Sequence, residues 1–373
     1  MSLTCKICGK ACKNKQGLHS HVSRVHKLTI PEYYIQVYQK RDKHTGELLE
    51  FKDFTDYFNR DFKNINNFIS WAKNAKIEEV RGLMLKQLKA RVTGKELKFA
   101  PPHLELCLNK MPSIDMFREY FGSYSKACEE AGVPPLYPKG LMKDFFVSNP
   151  ELDDVKIMID TRERKPLEFK KSTSLKLDFG DYAVGDPYYN YTYVDRKDES
   201  DFKSTLTTGF ERFKRELDRA KHFDAFLFVV VEGSIESIIN NNILFGSRSN
   251  LSFIWHNMRV LSHEYAGRCQ FIFTGKNGKN LFDQLDSDFY NEYNELNDLL
   301  INLKKVKNED RASKISKKMW VMRKKIFEPA YEKYVADARI ESQNIIPKLL
   351  VYGKKLWETD LQYFIDNHVL GRR

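Results

Sequence analysis

The apolar positions of the chain follow two rhythms. Between residues 154 and 285, short apolar runs alternate with amphipathic stretches. Residues 155–160 (VKIMID) are apolar and β-branched, and 191–195 (YTYVD) alternate. Residues 225–231 (AFLFVVV) form a continuous apolar run, as in a strand covered on both faces, and 270–274 (QFIFT) read as a further strand. Residues 201–222 have helical spacing, with Phe210, Phe213, Leu217 and Ala220 on one face. This pattern predicts an α/β fold with a central mixed sheet. Residues 28–145 read instead as helices interrupted by Gly and Pro, and 286–373 as helical with few breakers. The PPLYP stretch at 134–138 and Ser148-Asn149-Pro150 mark a boundary. Four regions follow: 1–27, 28–145, 154–285 and 286–373.

Charge changes the picture by pointing to a partner. Lys and Arg total 62 against 51 Asp and Glu, a formal net charge of +11. That excess suits a polyanion, and it also favours plain solubility. No run of eighteen apolar residues suggests a membrane span, and MSLTCKICGK lacks the apolar core of a signal peptide. Cysteines stand at 5, 8, 12, 107, 128 and 269. Three cluster and three are isolated, which fits a reducing compartment with one metal site better than a disulfide framework.

That metal site is explicit. Cys5, Cys8, His21 and His26 obey C-x2-C-x12-H-x4-H. A Cys pair on a short turn and a His pair about one helical turn apart supply the tetrahedron Zn²⁺ prefers. Residues 1–27 resemble a two-Cys/two-His zinc finger, with Leu18 at its core position. Cys12 occupies the place usually held by an aromatic, either as a small core residue or as a competing ligand. A helix starting near Asn14 would expose Lys13, Lys15, Gln16, His19 and Ser20, the side chains such fingers turn toward bases. A structural or protein-binding finger is the alternative. Further on, residues 113–133 (SIDMFREYFGSYSKACEEAGV) read as helix, Gly-Ser turn and helix. They resemble a small helical repeat attached to homing endonucleases, with Tyr124 in place of its tryptophan. An ordinary helical hairpin fits the same pattern. Residues 31–40 (PEYYIQVYQK) resemble segments that follow zinc fingers in phage and bacterial endonucleases.

The chemistry-bearing residues occur as IDTRERK (159–165), FGDY (179–182) and VDRKDESD (194–201). Asp160, Glu163, Asp181, Asp195, Arg196, Lys197 and Asp201 fall at or just after predicted strand ends, where a sheet protein presents its site. Period-two geometry puts Asp195 and Lys197 on one strand face. Asp181 is read as ending a strand that pairs with theirs. Converging carboxylates repel unless a cation joins them. Mg²⁺ takes one or two carboxylates plus water and phosphate oxygens, and phosphodiester hydrolysis uses such an ion. Lys197 beside it suits either positioning the water or stabilising charge.

The order D-x-R-E, G-D-Y, [ED]-R-K-x3-D resembles the nuclease domain of the XPF-type family, within the PD-(D/E)xK nucleases, from about Val155 to Gly275. The resemblance implies a restriction-endonuclease-like core. It implies that Asp160, Asp181 and Asp195 hold Mg²⁺ or Mn²⁺, that Arg196 and Lys197 complete the signature, and that Asp201 is the trailing acid. It also sets Arg212 and Glu216 on the next helix, facing the site. Asp195 stands where the family usually has Glu. The helix-hairpin-helix motifs that often follow this domain are not found. Residues 304–325 hold ten basic residues instead, including Lys304, Lys305, Lys317 and Lys318. These suit phosphate contact or a solvated helix face equally. The expectation is a DNA endonuclease of phage or bacterial, homing-type character, acting in the cytoplasm (that of the host if phage-encoded), with DNA as partner and no membrane. A homodimer would let one site per chain cut both strands. A structure-selective flap nuclease and a non-catalytic DNA-binding protein are the alternatives.

Overall fold

The computed structural model describes residues 3–41, 46–49, 65–146, 152, 154–244, 249–276, 298–299 and 309–370. The chain divides into two compact units, Met1–Pro135 and Leu136–Arg373.

The first unit opens with an antiparallel pair, β1 (Leu3–Thr4) and β2 (Ala11–Cys12), followed by α1 (Lys15–Val25). The Asn14 side chain caps α1 by accepting from the Gly17 N–H. Helix α2 (Ile30–Val37) starts with a complete capping box between Thr29 and Glu32. Tyr33 of α2 is fully buried in one core with Cys5, Cys12, Leu18 and Val22. Four more helices precede the hairpin's second arm or form its first: α3 (Ile65–Ala72), α4 (Ile77–Gly94), α5 (His103–Leu108) and α6 (Ile114–Phe121). The last is α7 (Tyr124–Ala131). The α6–α7 hairpin predicted from residues 113–133 forms, with Ser113 and Ser123 as N-caps and Gly122 in the left-handed conformation between them. Helix α4 packs on both arms and buries Val80, Met84 and Leu88.

The second unit is built on a six-stranded mixed sheet in the order β4-β3-β5-β6-β7-β8. Its strands are β3 (Ile157–Asp160), β4 (Ser172–Leu175), β5 (Tyr182–Val184), β6 (Thr192–Lys197), β7 (Phe226–Val231) and β8 (Cys269–Phe273). The β5–β6 pair is antiparallel, whereas β6, β7 and β8 run parallel. Every residue of β7 is buried, as its unbroken apolar run requires of a central parallel strand. The edge strand β4 is exposed throughout and carries a single apolar residue, Leu175, so no apolar rhythm announced it.

Residues 201–222 depart from the single helix their spacing predicts. They form the end of α8 (Glu199–Thr205) and all of α9 (Phe210–His222), with Gly209 as the N-cap of the second. Phe213, Leu217 and Ala220 line the buried side of α9. Helices α10 (Ile235–Leu244) and α11 (Leu251–Glu264) precede β8. The chain then enters α12 (Glu309–Leu356), a single helix of 48 residues. Its C-terminal half belongs to the sheet's own core. Ile345, Ile346, Leu349 and Leu350 pack with Val184, Val194, Phe226 and Phe228. Gly353 permits this approach, because a Cβ there would lie 2.3 Å from the Thr192 hydroxyl oxygen. A short helix, α13 (Leu361–Phe364), and a π-helical turn (Ile365–Val369) close the unit. Their contact with β8 runs through side-chain amides. Gln362 accepts from the Phe273 N–H (2.7 Å) and donates to the Phe273 carbonyl (3.2 Å). Gln270 answers by accepting from the Leu361 N–H (2.9 Å) and donating to the Thr359 carbonyl (3.2 Å).

Candidate metal cluster and active site

The four predicted zinc ligands converge. One ligand atom from each of Cys5, Cys8, His21 and His26 lies within 4.8 Å of all the others. Cys5 Sγ is 3.4 Å from His26 Nε2, and Cys8 Sγ is 3.1 Å from His21 Nε2. A tetrahedral zinc sets S···N separations of about 3.5 Å, so the donor set fits that ion. Cys12 is not a ligand. It is buried in one core with Leu18, Val22 and Tyr33 of α2, whose hydroxyl accepts from the Lys6 N–H at 3.0 Å. Lys13 and Gln16 are exposed, whereas His19 is half-buried with its ring edge-on to Tyr34. The Lys15 side chain lies outside the described residues.

In the second unit, antiparallel pairing of β5 with β6 settles where Asp181 lies. Asp181 immediately precedes β5 rather than ending a strand, as expected, and its N–H donates to the Val194 carbonyl at 2.8 Å. The start of β5 thus meets the C-terminal end of β6, which carries Asp195 and Lys197. Gly180 makes the close approach possible. It has φ +58°, and a Cβ there would lie 2.6 Å from the Val194 carbonyl oxygen.

Asp195 and Lys197 share a face. The Lys197 ammonium is 2.8 Å from Asp195 Oδ2, and both side chains are largely buried. Asp181 Oδ2 accepts from the Arg196 N–H at 2.8 Å. Burial and then the neighbouring Asp195 carboxylate push the Asp181 carboxyl up to about 8, with Glu163 adding to the effect and the Arg196 N–H and Lys197 opposing it. Glu216 of α9 joins them. Burial and Asp195 raise its carboxyl, while the Gly180 N–H (3.4 Å) and Lys197 pull the other way. Burial works against the Lys197 charge, but Asp195 outweighs it, so the ammonium is held above its ordinary range. The result is three acids around one lysine at a sheet edge. A cation between Asp181 and Asp195 would relieve their repulsion, although among the described residues Asp181, Asp195 and Glu216 do not bring ligand atoms all within 4.8 Å of one another.

Asp160 is engaged differently from the expectation that it joins Asp181 and Asp195 at a metal. Its Oδ1 accepts from the Arg162 N–H and Nε (both 2.7 Å), and its Oδ2 from Arg162 (3.0 Å) and the Leu177 N–H (2.7 Å). Burial raises this carboxyl, but those donors hold it down at about 2. Among the described residues, Asp160, Asp181 and Asp195 do not form a group with ligand atoms all within 4.8 Å of one another. Arg196, between Asp195 and Lys197, faces the other side of the strand by the same period-two rule. Its buried guanidinium donates to Glu232 (2.8 Å), to the Lys165 carbonyl (2.6 Å) and to Glu163 (3.3 Å). It ties the ends of β6 and β7 to the loop after β3. Asp201 is exposed in the first turn of α8, where its N–H is capped by Asp198. Arg212 is exposed on α9. Lys317 and Lys318 are exposed on α12, and Lys304 and Lys305 lie outside the described residues. Glu232, which sequence reading missed, stands directly after β7 in VVVEG, and a strand-end acid was its only signal.

Among the described residues no helix is long and apolar enough to cross a membrane. A mixed α/β unit with an acid–lysine centre at its sheet edge, and a Cys2His2 cluster in the other unit, define the molecule by class. No protein-family model matches the chain, and no curated protein matches it. Among solved structures, the chain is similar to XPF from Aeropyrum pernix in complex with DNA, at 21% identity and a TM-score of 0.25, over 32% of this chain and 56% of that one. A second XPF structure from Aeropyrum pernix gives 19% identity and a TM-score of 0.24 over the same shares. The chain therefore spans about half the length of these two structures.

Proposed function

We propose that the protein is a metal-dependent DNA endonuclease. The observation that carries this reading is the buried Lys197 ammonium held by Asp195 at 2.8 Å, with the nearby Asp181 carboxyl raised by burial and by Asp195. In this reading Asp181 and Asp195, with Glu216 adjacent, hold Mg²⁺ or Mn²⁺. Bound there, the ion would polarise a phosphoryl oxygen and acidify a water. Lys197 stabilises charge on the scissile phosphate, and Asp195 fixes where its ammonium sits. Arg196 is a positioning residue that keeps β6, β7 and the Glu163 loop in register. Asp160 anchors Arg162 beside the centre instead of ligating.

The Cys2His2 cluster, with Zn²⁺ in it, and the α6–α7 hairpin support a site-directed, homing-type enzyme over a flap nuclease, because both are of kinds suited to contact with DNA. Lys13 and Gln16 are the finger side chains best exposed for it. The test is cleavage of random-sequence duplex, nicked and branched DNA with Mg²⁺ or Mn²⁺, with the ends sequenced. Site-directed cutting gives recurrent sequences at the ends, and a flap nuclease gives junction-proximal cuts. Asp181→Ala and Lys197→Ala should abolish cleavage while DNA binding persists. Wild-type protein that leaves every substrate intact would refute the nuclease reading and leave a DNA-binding protein.

A further inference from the structure

The two halves of α12 stand differently to the candidate site. Gly353 meets Thr192 at the start of β6. Thr274, just past the end of β8, bonds instead to the Ala338 carbonyl (3.1 Å) and the Ser342 hydroxyl (2.8 Å). The helix therefore runs antiparallel to β6, β7 and β8 and reaches their C-terminal edge near residue 338. That edge carries Asp195 and Lys197. Arg339 donates to the carbonyls of Lys165 (3.0 Å) and Pro166 (3.1 Å), in the loop that bears Glu163. Tyr331 donates to Glu199 at 3.4 Å, two residues beyond Lys197. Residues 309–330 continue the same helix N-terminal to Tyr331. At 1.5 Å per residue they span about 33 Å, close to one turn of B-DNA at roughly 34 Å.

The charge on this arm is sorted. Residues 309–330 hold seven Lys and Arg against three Asp and Glu. Lys314, Lys317 and Lys318, at helical i, i+3 and i+4 spacing, are all exposed, and so is Val321. Ile315 and Met319, one turn apart on another face, are half-buried and buried. Pro329 supplies no N–H to the helix ladder, which lets the arm bend at its root without ending.

We propose that this arm is a duplex-DNA grip, laid along the phosphate backbone beyond the candidate cleavage edge. The inference rests on the nuclease reading for which edge DNA approaches. It requires no base contact, since lysines at this spacing meet phosphates and give sequence-independent, salt-sensitive affinity.

The test uses the full chain with zinc retained and no Mg²⁺ or Mn²⁺, so that binding is measured without cleavage. Fluorescence anisotropy on a labelled 30-base-pair duplex, of about 100 Å, is recorded across a salt series. The comparison is wild type against Lys314→Gln/Lys317→Gln/Lys318→Gln. Each lost phosphate contact flattens the plot of log affinity against log salt by about 0.9, so the triple variant should be shallower by about 2.7 and weaker by about two orders of magnitude near 0.15 M salt. The loss should be equal on unrelated sequences, and the corresponding triple Arg variant should keep the wild-type slope. If the triple Gln variant misfolds by circular dichroism, Lys317→Gln alone, with a slope change of about 0.9, decides the matter. An unchanged slope overturns the proposal. So does unchanged DNA affinity with lost binding to phosphatidylserine vesicles, which would make the arm a membrane-surface helix. The two readings fail separately: cleavage with an unchanged slope sinks the grip alone, and a changed slope without cleavage sinks the nuclease alone.

Discussion

Asp181→Asn offers the sharpest test of the acid centre, because the metal-free protein should become more stable. In the folded state the Asp181 carboxyl is pushed up to about 8 from an ordinary value of 3.8. A carboxyl raised on folding is protonated in the fold while the unfolded chain ionises. Below pH 3.8 both states hold the proton and nothing is lost. As pH rises from there to about 8, folding loses roughly 1.4 kcal/mol per pH unit for one full proton. The side chain is only partly buried, and water screens part of this. We therefore expect Asp181→Asn to exceed wild type by about 2–3 kcal/mol at pH 8 and by about 1 kcal/mol or less at pH 5. For a unit of this size that is a rise in Tm of about 5–10 °C at pH 8. Differential scanning calorimetry of the full chain, without Mg²⁺ and with zinc retained, measures it. Adding Mg²⁺ should reverse the order, because only wild type keeps both ligands and gains stability by binding. Equal Tm values at pH 8, or a gap that does not grow between pH 5 and pH 8, would refute the account of Asp181 and Asp195 as a cation-seeking pair.

The remaining predictions address other parts of the molecule. Gly353→Ala drives a methyl into Thr192 and should cost about 1–3 kcal/mol, read as a lower Tm, with partial rescue by Thr192→Ser. Tyr33→Ala empties the finger core and should cost about 3–5 kcal/mol, seen as weaker zinc retention under chelator challenge. Tyr33→Phe loses the bond from the Lys6 N–H and the hydroxyl's bond to the Cys5 thiol, and should cost about 1–2 kcal/mol. Cys8→Ser should lower bound zinc, measured by atomic emission, from one ion per chain toward none, while Cys12→Ser leaves the stoichiometry unchanged. Arg196→Lys cannot reach Glu232, Glu163 and the Lys165 carbonyl together, so it should abolish cleavage with DNA affinity retained.

What the sequence made legible was local. The Cys and His spacing brings together the same four ligands the fold does, because a turn and one helix contain them all. Period two put Lys197 beside Asp195, and applied once more it would have turned Arg196 to the opposite face. What stayed hidden depends on distant chain. Tyr33 joins the core under the Cys2His2 cluster from the next helix. Glu216 enters the acid centre across the β6–α9 connection, and before the fold is known only resemblance pointed to it. Asp160 is claimed by Arg162 two residues away and by the Leu177 N–H in a loop no pattern marks. The strand β4, with Leu175 its one apolar residue, has no apolar alternation to betray it. The second half of α12 reads like any amphipathic helix until the sheet it covers is known.

The glutamine clasp on β8 has a consequence for how this chain tolerates shortening. Phe273 offers both its N–H and its carbonyl away from β7, and Gln362 meets both with one amide. A chain cut after Leu356 would leave that pair bare on a strand whose five residues are all buried in the intact molecule. An unsatisfied apolar strand edge recruits other strands. The final turns thus serve as a stopper against self-templating: their loss should show first as turbidity and light scattering.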